Sequence, residues 1–337
     1  MGRHRTADLP PHRDRAAVRT TVLALTALAV FVVAMVASYS GAFAKPVLHH
    51  MTVAVAAPPE LVDGLRAREA LSISEVDGAG AARQQVLERR TDTAFAVSPD
   101  GHLVVYVAGG GGHSVAAAAE AVGRAAAERA GMPVVVDDVA PTSAGDPSGT
   151  VEFYAVIFAS IGASLGAALL GRTMGAVTTP TTLLLRTLSL SGFSAVLAGA
   201  VTVYVGPVLD ALTAHPWQVF AVLWLYSMAV GGAVSGVAAA FGTAASVALG
   251  VFLVVVGNAA AAGPVGRPLL SGFYSTLSSV VPQGSGVSLL RSVSYFGGHG
   301  AGTPLLTLAA WASAGALLAV LATVGRRWRF VDFVAWR

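Results

Sequence analysis

The 337-residue chain has no cysteine and a single lysine, Lys45. Without cysteine there is no disulfide framework and no thiolate chemistry, so any part outside a membrane must be held by packing alone. No G-x-x-x-x-G-K-[ST] loop occurs, which excludes nucleotide binding by that route, and one lysine leaves little scope for Schiff-base catalysis. Charge is scarce as well: 12% of residues are Asp, Glu, Lys or Arg, about half the share of an ordinary soluble protein. The deficit is concentrated. From Phe153 to Val324 the only charged residues are Arg172, Arg186, Arg267, Arg291 and Asp210. No single soluble core needs so long an apolar run, and it reads as several membrane spans.

What is present falls in order around that run. Residues 1–19 form a short polar tail with Arg3, Arg5, Arg13, Arg15 and Arg19 against Asp8 and Asp14. Its expected role is to hold the N-terminus in the cytoplasm rather than to bind nucleic acid. Residues 20–44 are the first apolar segment, long enough to cross a bilayer core. Ala42-Phe43-Ala44 would also suit a signal-peptidase site, but the apolar run exceeds the usual signal length and favours an uncleaved anchor.

In residues 45–150 charge returns and the balance turns acidic. Strands are expected at Met51–Ala56, Leu71–Val76, Thr93–Val97, Leu103–Val107 and just after Pro133. Helices are expected at Pro58–Arg68, Gly80–Arg90 and Val115–Ala130. Ser98-Pro-Asp-Gly101 is a turn. The whole reads as a small external α/β domain inserted between the first span and the second.

Residues 151–325 then divide into five further spans: Val151–Gly175, Thr181–Val208, Trp217–Phe241, Ala244–Ala262 and Thr303–Val324. Gly162 with Gly166, and Gly232 with Gly236, have the small-xxx-small spacing that lets helices approach closely. The intervening segment 263–302 is richer in Ser, Gly and Pro. It is expected to be re-entrant or interfacial, with short helices at Phe273–Val281 and Val287–Tyr295 broken at Pro282-Gln-Gly-Ser-Gly286. Residues 326–337 are a second basic tail. Six spans return the C-terminus to the side of the N-terminus, and arginine is rich in both tails and around the loop between Arg172 and Arg186. The positive-inside rule then puts both termini in the cytoplasm of a multi-pass cell-membrane protein and residues 45–150 outside.

Candidate chemistry is sparse. Gly109-Gly-Gly-Gly112 lacks the lysine of a phosphate cradle and reads as a flexible turn. His49, His50 and His113 have no metal-ligand spacing, so no metal or other cofactor is expected. No nucleophile–base set appears, which argues against an enzyme. With Asp210 the only side-chain carboxylate between Phe153 and Val324, and that in an external loop, there is no obvious proton relay within the spans. Arg172 and Arg186 either contact a cytoplasmic partner or are ordinary positive-inside residues.

Two stretches carry a family likeness. One is Gly80-Ala-Ala-Arg83-Gln-Gln-Val86-Leu-Glu-Arg-Arg90 with Thr91-Asp-Thr-Ala94-Phe-Ala-Val97, Asp100-Gly101 and Leu103–Val107. The other is Val281-Pro282-Gln-Gly284-Ser-Gly286-Val-Ser-Leu-Leu-Arg291-Ser-Val-Ser-Tyr295-Phe296. With Asp146-Pro-Ser-Gly149 before the second span, the chain resembles the ABC-2 type permease family, in particular an actinobacterial branch akin to YhgE/Pip-like membrane proteins. The resemblance implies a homo- or heterodimeric export channel in lipid, driven by a separate ABC ATPase subunit, and points to Pro282, Gly284, Gly286 and Arg291. A non-transporting protein whose external domain binds a cell-envelope partner is the alternative.

Overall fold

A computed structural model describes the backbone of residues 13–335 and the side chains of residues 15–326. Most of the tail arginines behind the orientation argument, Arg3, Arg5, Arg13, Arg327, Arg329 and Arg337, lie outside the described side chains. The chain is mostly helical, with one small mixed sheet and five helices long and apolar enough to cross a membrane.

Helix α1 (Arg13–Phe43) is charged in its first two turns, apolar beyond them, and touches the rest mainly at its last turns. There Ser38 and Ala42 are buried, and Phe43 meets Phe153 edge to face at 6.2 Å. The chain then builds the sheet domain from β1 (Met51–Ala56), α2 (Pro59–Arg66), β2 (Leu71–Glu75), α3 (Gly78–Leu87), β3 (Thr93–Val97), β4 (Leu103–Val107), α4 (His113–Ala130) and β5 (Val134–Asp138). Strand order is β2-β1-β3-β4-β5. Only β3 and β4 pair antiparallel, because the Ser98–Gly101 turn joins them directly; Gly101 supplies the positive φ and its N–H donates to Ser98 O at 2.9 Å.

Period-two alternation sends the two faces of the sheet to different neighbours. Val53, Val55, Phe95, Leu103 and Val105 pack on one side with Val62, Leu65, Val115 and Ala119 of α2 and α4. Ala54, Ala94 and Ala96 form the other, small-residue face. It packs against Ala82 and Val86 of α3 and against Phe296, a residue from the far end of the chain.

Helices α5 (Val151–Met174), α6 (Pro180–Val203) and α7 (Pro216–Phe241) follow, close to the expected spans. α6 runs on through a π turn, Tyr204–Val208, around Pro207. α7 is the central helix and α5, α6 and α11 (Gly302–Ala335) pack around it. The expected span at Ala244–Ala262 is shorter than proposed. Helix α8 (Thr243–Phe252) and the π turn Leu253–Gly257 make 15 apolar residues, about 22 Å at helical rise and less than a bilayer core. The segment nonetheless passes from one end of the bundle to the other, since Ala239 lies beside Arg326 and Gly263 lies against Phe153.

Segment 263–302 contains α9 (Gly272–Ser278) and α10 (Pro282–Tyr295) as a helical hairpin. The expected break at Pro282–Gly286 is displaced. Those residues are the first turns of α10, with Pro282 at the first helical position where its missing N–H is harmless; the break is Ser279–Val281. The hairpin tip packs on the bundle with Ser278 and Val281 buried and with Ser279 and Val280 exposed. Trp311 Nε1 of α11 donates to Val280 O at 2.8 Å, and Gln283 Nε2 donates to Ser160 Oγ of α5 at 3.1 Å and to Leu253 O at 3.0 Å. Ser160 is about 12 Å along α5 from Glu152, so the tip reaches well below the sheet domain.

Candidate functional site

The hairpin's second arm joins the two halves of the molecule. Of the fourteen residues of α10, eleven are buried, including Pro282, Gln283, Gly284, Gly286 and Arg291. Gly284 is required because a Cβ there would collide with Ser278 O of the preceding arm. At Gly286 a Cβ would lie 2.9 Å from the Tyr226 ring and 3.1 Å from Val156. Both glycines therefore seat α10 against its neighbours.

Arg291 is 4% exposed and uses its planar fork on carbonyls from three distant segments. Nη1 donates to Gly111 O at 3.0 Å; Nη2 donates to Gly263 O at 3.0 Å and to Gly149 O at 3.4 Å. Sheet domain, linker and the end of the fifth apolar segment are thereby tied to α10. Arg89, at the end of α3, completes the junction from the other side. Its Nη1 donates to Ser288 O at 2.8 Å and to Ser292 Oγ, and its guanidinium lies 5.0 Å from the centre of the Phe296 ring. Burial, with Arg291 nearby, lowers the Arg89 pKa to about 10, while Asp92 opposes the shift. Arg89 remains a cation at neutral pH.

Gly109–Gly111, expected to be a flexible turn, is a 3-10 turn wedged into this junction. Gly110 lies so close to Tyr295 that a Cβ would strike the root of its ring, and Gly109 N–H donates to Asp138 Oδ1 at 3.0 Å. The glycines serve close approach rather than mobility.

A cavity of about 370 Å³ opens between the sheet domain and the hairpin. Arg89, Arg267, Arg291 and Asp92 line it together with hydroxyls such as Ser285 and Ser288. Just beneath, Glu152 in the first turn of α5 is fully buried, and Arg291, Asp146 and Tyr295 are the ionisable groups around it. Tyr295 Oη and both Glu152 oxygens are neighbours without a well-formed hydrogen bond among the described residues. Sequence reasoning passed over Glu152 because the uncharged run starts one residue later. An acid at the second position of a span was the available signal.

The other expected site residues sit elsewhere. Gly162 and Gly166 of α5 face Leu197 and Phe193 of α6. Gly236 abuts the backbone of Gly315 in α11, whereas the nearest atom a Cβ on Gly232 would meet is 4.0 Å away. Arg172 and Arg186 are at the end of the bundle away from the sheet domain, with Arg326. Arg172 is exposed. Arg186 is buried and Nη1 donates to Gly175 O at 3.1 Å, while Arg326 Nη1 donates to Val177 O at 2.9 Å and its other nitrogen reaches Ala239 O. These two arginines close the turn between α5 and α6 onto α7 and α11. His49, His50 and His113 are exposed, and among the described residues no three metal-ligating side chains gather.

Comparison with protein-family models, with curated proteins and with solved structures finds no match.

Proposed function

We propose that the chain is the permease subunit of an ABC-2 type exporter in the cell membrane. Its six spans are α1, α5, α6, α7, the segment from Thr243 to Gly263, and α11. The sheet domain then stands outside, α9 and α10 re-enter from that side, and both termini are cytoplasmic. The observation that carries this reading is the hairpin. The start of its second arm, Gln283, is buried among the long helices, the carbonyl of Val280 at the tip is held by Trp311, and the second arm is bound to the external domain, so a broken helix can open or close a path.

The charge pattern adds support. Arg172, Arg186 and Arg326 gather at the end that the positive-inside rule assigns to the cytoplasm. That end is where a separate ATPase would dock, and exposed Arg172 is the residue free to meet it. Arg186 is turned inward and acts as a brace. No ATP-binding loop occurs in the chain, so energy has to come from the partner. The expected assembly is a dimer of permease chains, alike or different, in lipid. Its substrate is small or lipidic.

Affinity purification of the full chain from its native membrane, followed by mass spectrometry, tests this directly. An ABC ATPase should co-purify, and the reconstituted pair should show ATP-dependent export from vesicles. Recovery of an envelope protein bound to the external domain, with no ATPase and no change in efflux on deletion, would replace it with a non-transporting receptor.

A further inference from the structure

Arg291 is buried and Arg89 half-buried, yet among the described residues neither forms a salt bridge. A cation withdrawn from water without a direct ion pair is costly; carbonyls, with Glu152 near Arg291 and Asp92 near Arg89, offset only part of the lost hydration. Arg291 Nε also lacks a hydrogen-bond partner. Both guanidinium groups line the 370 Å³ cavity, and exposed Arg267 joins them at its rim. The only acid lining the cavity is Asp92, and its Oδ2 already accepts from Thr52 N at 2.8 Å and Thr52 Oγ1 at 2.7 Å. Three cations therefore face one carboxylate that is engaged elsewhere. Ser278, Ser285 and Ser288 add neutral hydroxyls, a lining suited to a multiply hydrogen-bonded oxyanion.

We infer that this cavity binds a phosphate-bearing anion, held between Arg89, Arg267 and Arg291. The cavity is at the small end of ligand sites and accommodates a headgroup rather than a whole lipid. Its rim also carries Ser279 and Thr303, both exposed, and the adjacent Val280 and Leu306 expose 56% and 71% of their surface. An alkyl chain attached to the phosphate has an apolar surface to follow at that edge. The phosphate can thus come from an amphiphile or from solution. Binding is inferred independently of export.

The purified full chain in neutral detergent is titrated with decyl phosphate, decyl maltoside and inorganic phosphate, with stoichiometry read by native mass spectrometry and affinity by thermal shift. One decyl phosphate per chain is expected, and no saturable response to decyl maltoside. Arg267→Gln should weaken binding about tenfold, the scale of one charge-assisted hydrogen bond. Thr303→Trp, which narrows the rim from an exposed position, should also weaken it. Arg124→Gln, on the exposed face of α4, should leave binding unchanged. Equal or better binding of inorganic phosphate with the same sensitivities would support a soluble anion as the ligand. Absence of saturable binding by either phosphate, or binding that Arg267→Gln and Thr303→Trp leave at wild-type strength, overturns the inference.

Discussion

Arg291 answers three carbonyls that lie 28 to 180 positions away from it in sequence. Lysine cannot substitute there. An ammonium is a point donor, and its reach does not match the planar fork that spans Gly111, Gly149 and Gly263. Arg291→Lys should lower stability by about 2–4 kcal/mol, the scale of one or two lost charge-assisted hydrogen bonds. The measurement is the thermal unfolding midpoint in detergent together with the rate of proteolysis in linker 141–149; an unchanged midpoint and rate would show that the three contacts carry no load. Gly110 makes the same point sterically. Gly110→Ala pushes a methyl group into the root of the Tyr295 side chain, where no flexible tip can yield, and should cost about 1–3 kcal/mol. Gly80→Ala on α3 is the matched control: nothing lies within 4 Å, the residue is helical, and the change should be neutral or stabilising by up to about 1 kcal/mol.

Among the elements, the crossing of α7 with α11 separates two glycines that look equivalent in sequence. Gly236 meets backbone atoms of Gly315, so neither helix can relieve an added methyl except by moving apart. Gly232 has space. Gly236→Ala should therefore destabilise the bundle by about 1–3 kcal/mol or more, while Gly232→Ala stays near wild type, as read by unfolding in detergent. Equal losses at both positions would show that this crossing is wrongly described. The hairpin tip offers a polar counterpart. Gln283→Leu removes the donor to buried Ser160 Oγ and the second of two donors to Leu253 O, which keeps the Asn258 N–H; a loss of about 1–3 kcal/mol is expected. Local pattern revealed most of these elements. Strand alternation placed every strand of the sheet within two residues, and long uncharged runs placed α5, α6, α7 and α11. It did not reveal the length of α8 or the start of α10. Both depend on packing inside the bundle, where Gln283 adds a second donor to a distorted turn and Pro282 starts a helix instead of ending one. Nor did it reveal the pairing of Arg89 with the Ser288–Ser292 turn, because contacts 199 to 203 residues apart leave no mark in local spacing.

For the molecule as a whole, the absence of cysteine becomes an experimental opportunity. Any introduced cysteine is the only thiol in the chain. Placed at the exposed positions Glu60, Gly131 and Arg172, it reports sidedness to a membrane-impermeant maleimide. The proposed orientation requires labelling of the first two from outside intact cells and of the third only after permeabilisation. Labelling of all three from one side would invalidate the six-span arrangement.

The bond between α10 and the sheet domain also has a mechanical meaning. α10 is about 21 Å long, fixed at its upper end by Arg89 and Arg291 and inserted at its lower end between Ser160 and Leu253. The domain is thus the handle of a crank. A tilt of about 10° at the handle sweeps the buried end by about 4 Å over that length, less than one helical turn but wider than a methyl group. In the proposed orientation, a torque applied to the sheet domain by a bound partner or by a ligand at the junction would reach the middle of the bundle without passing through any of the long helices.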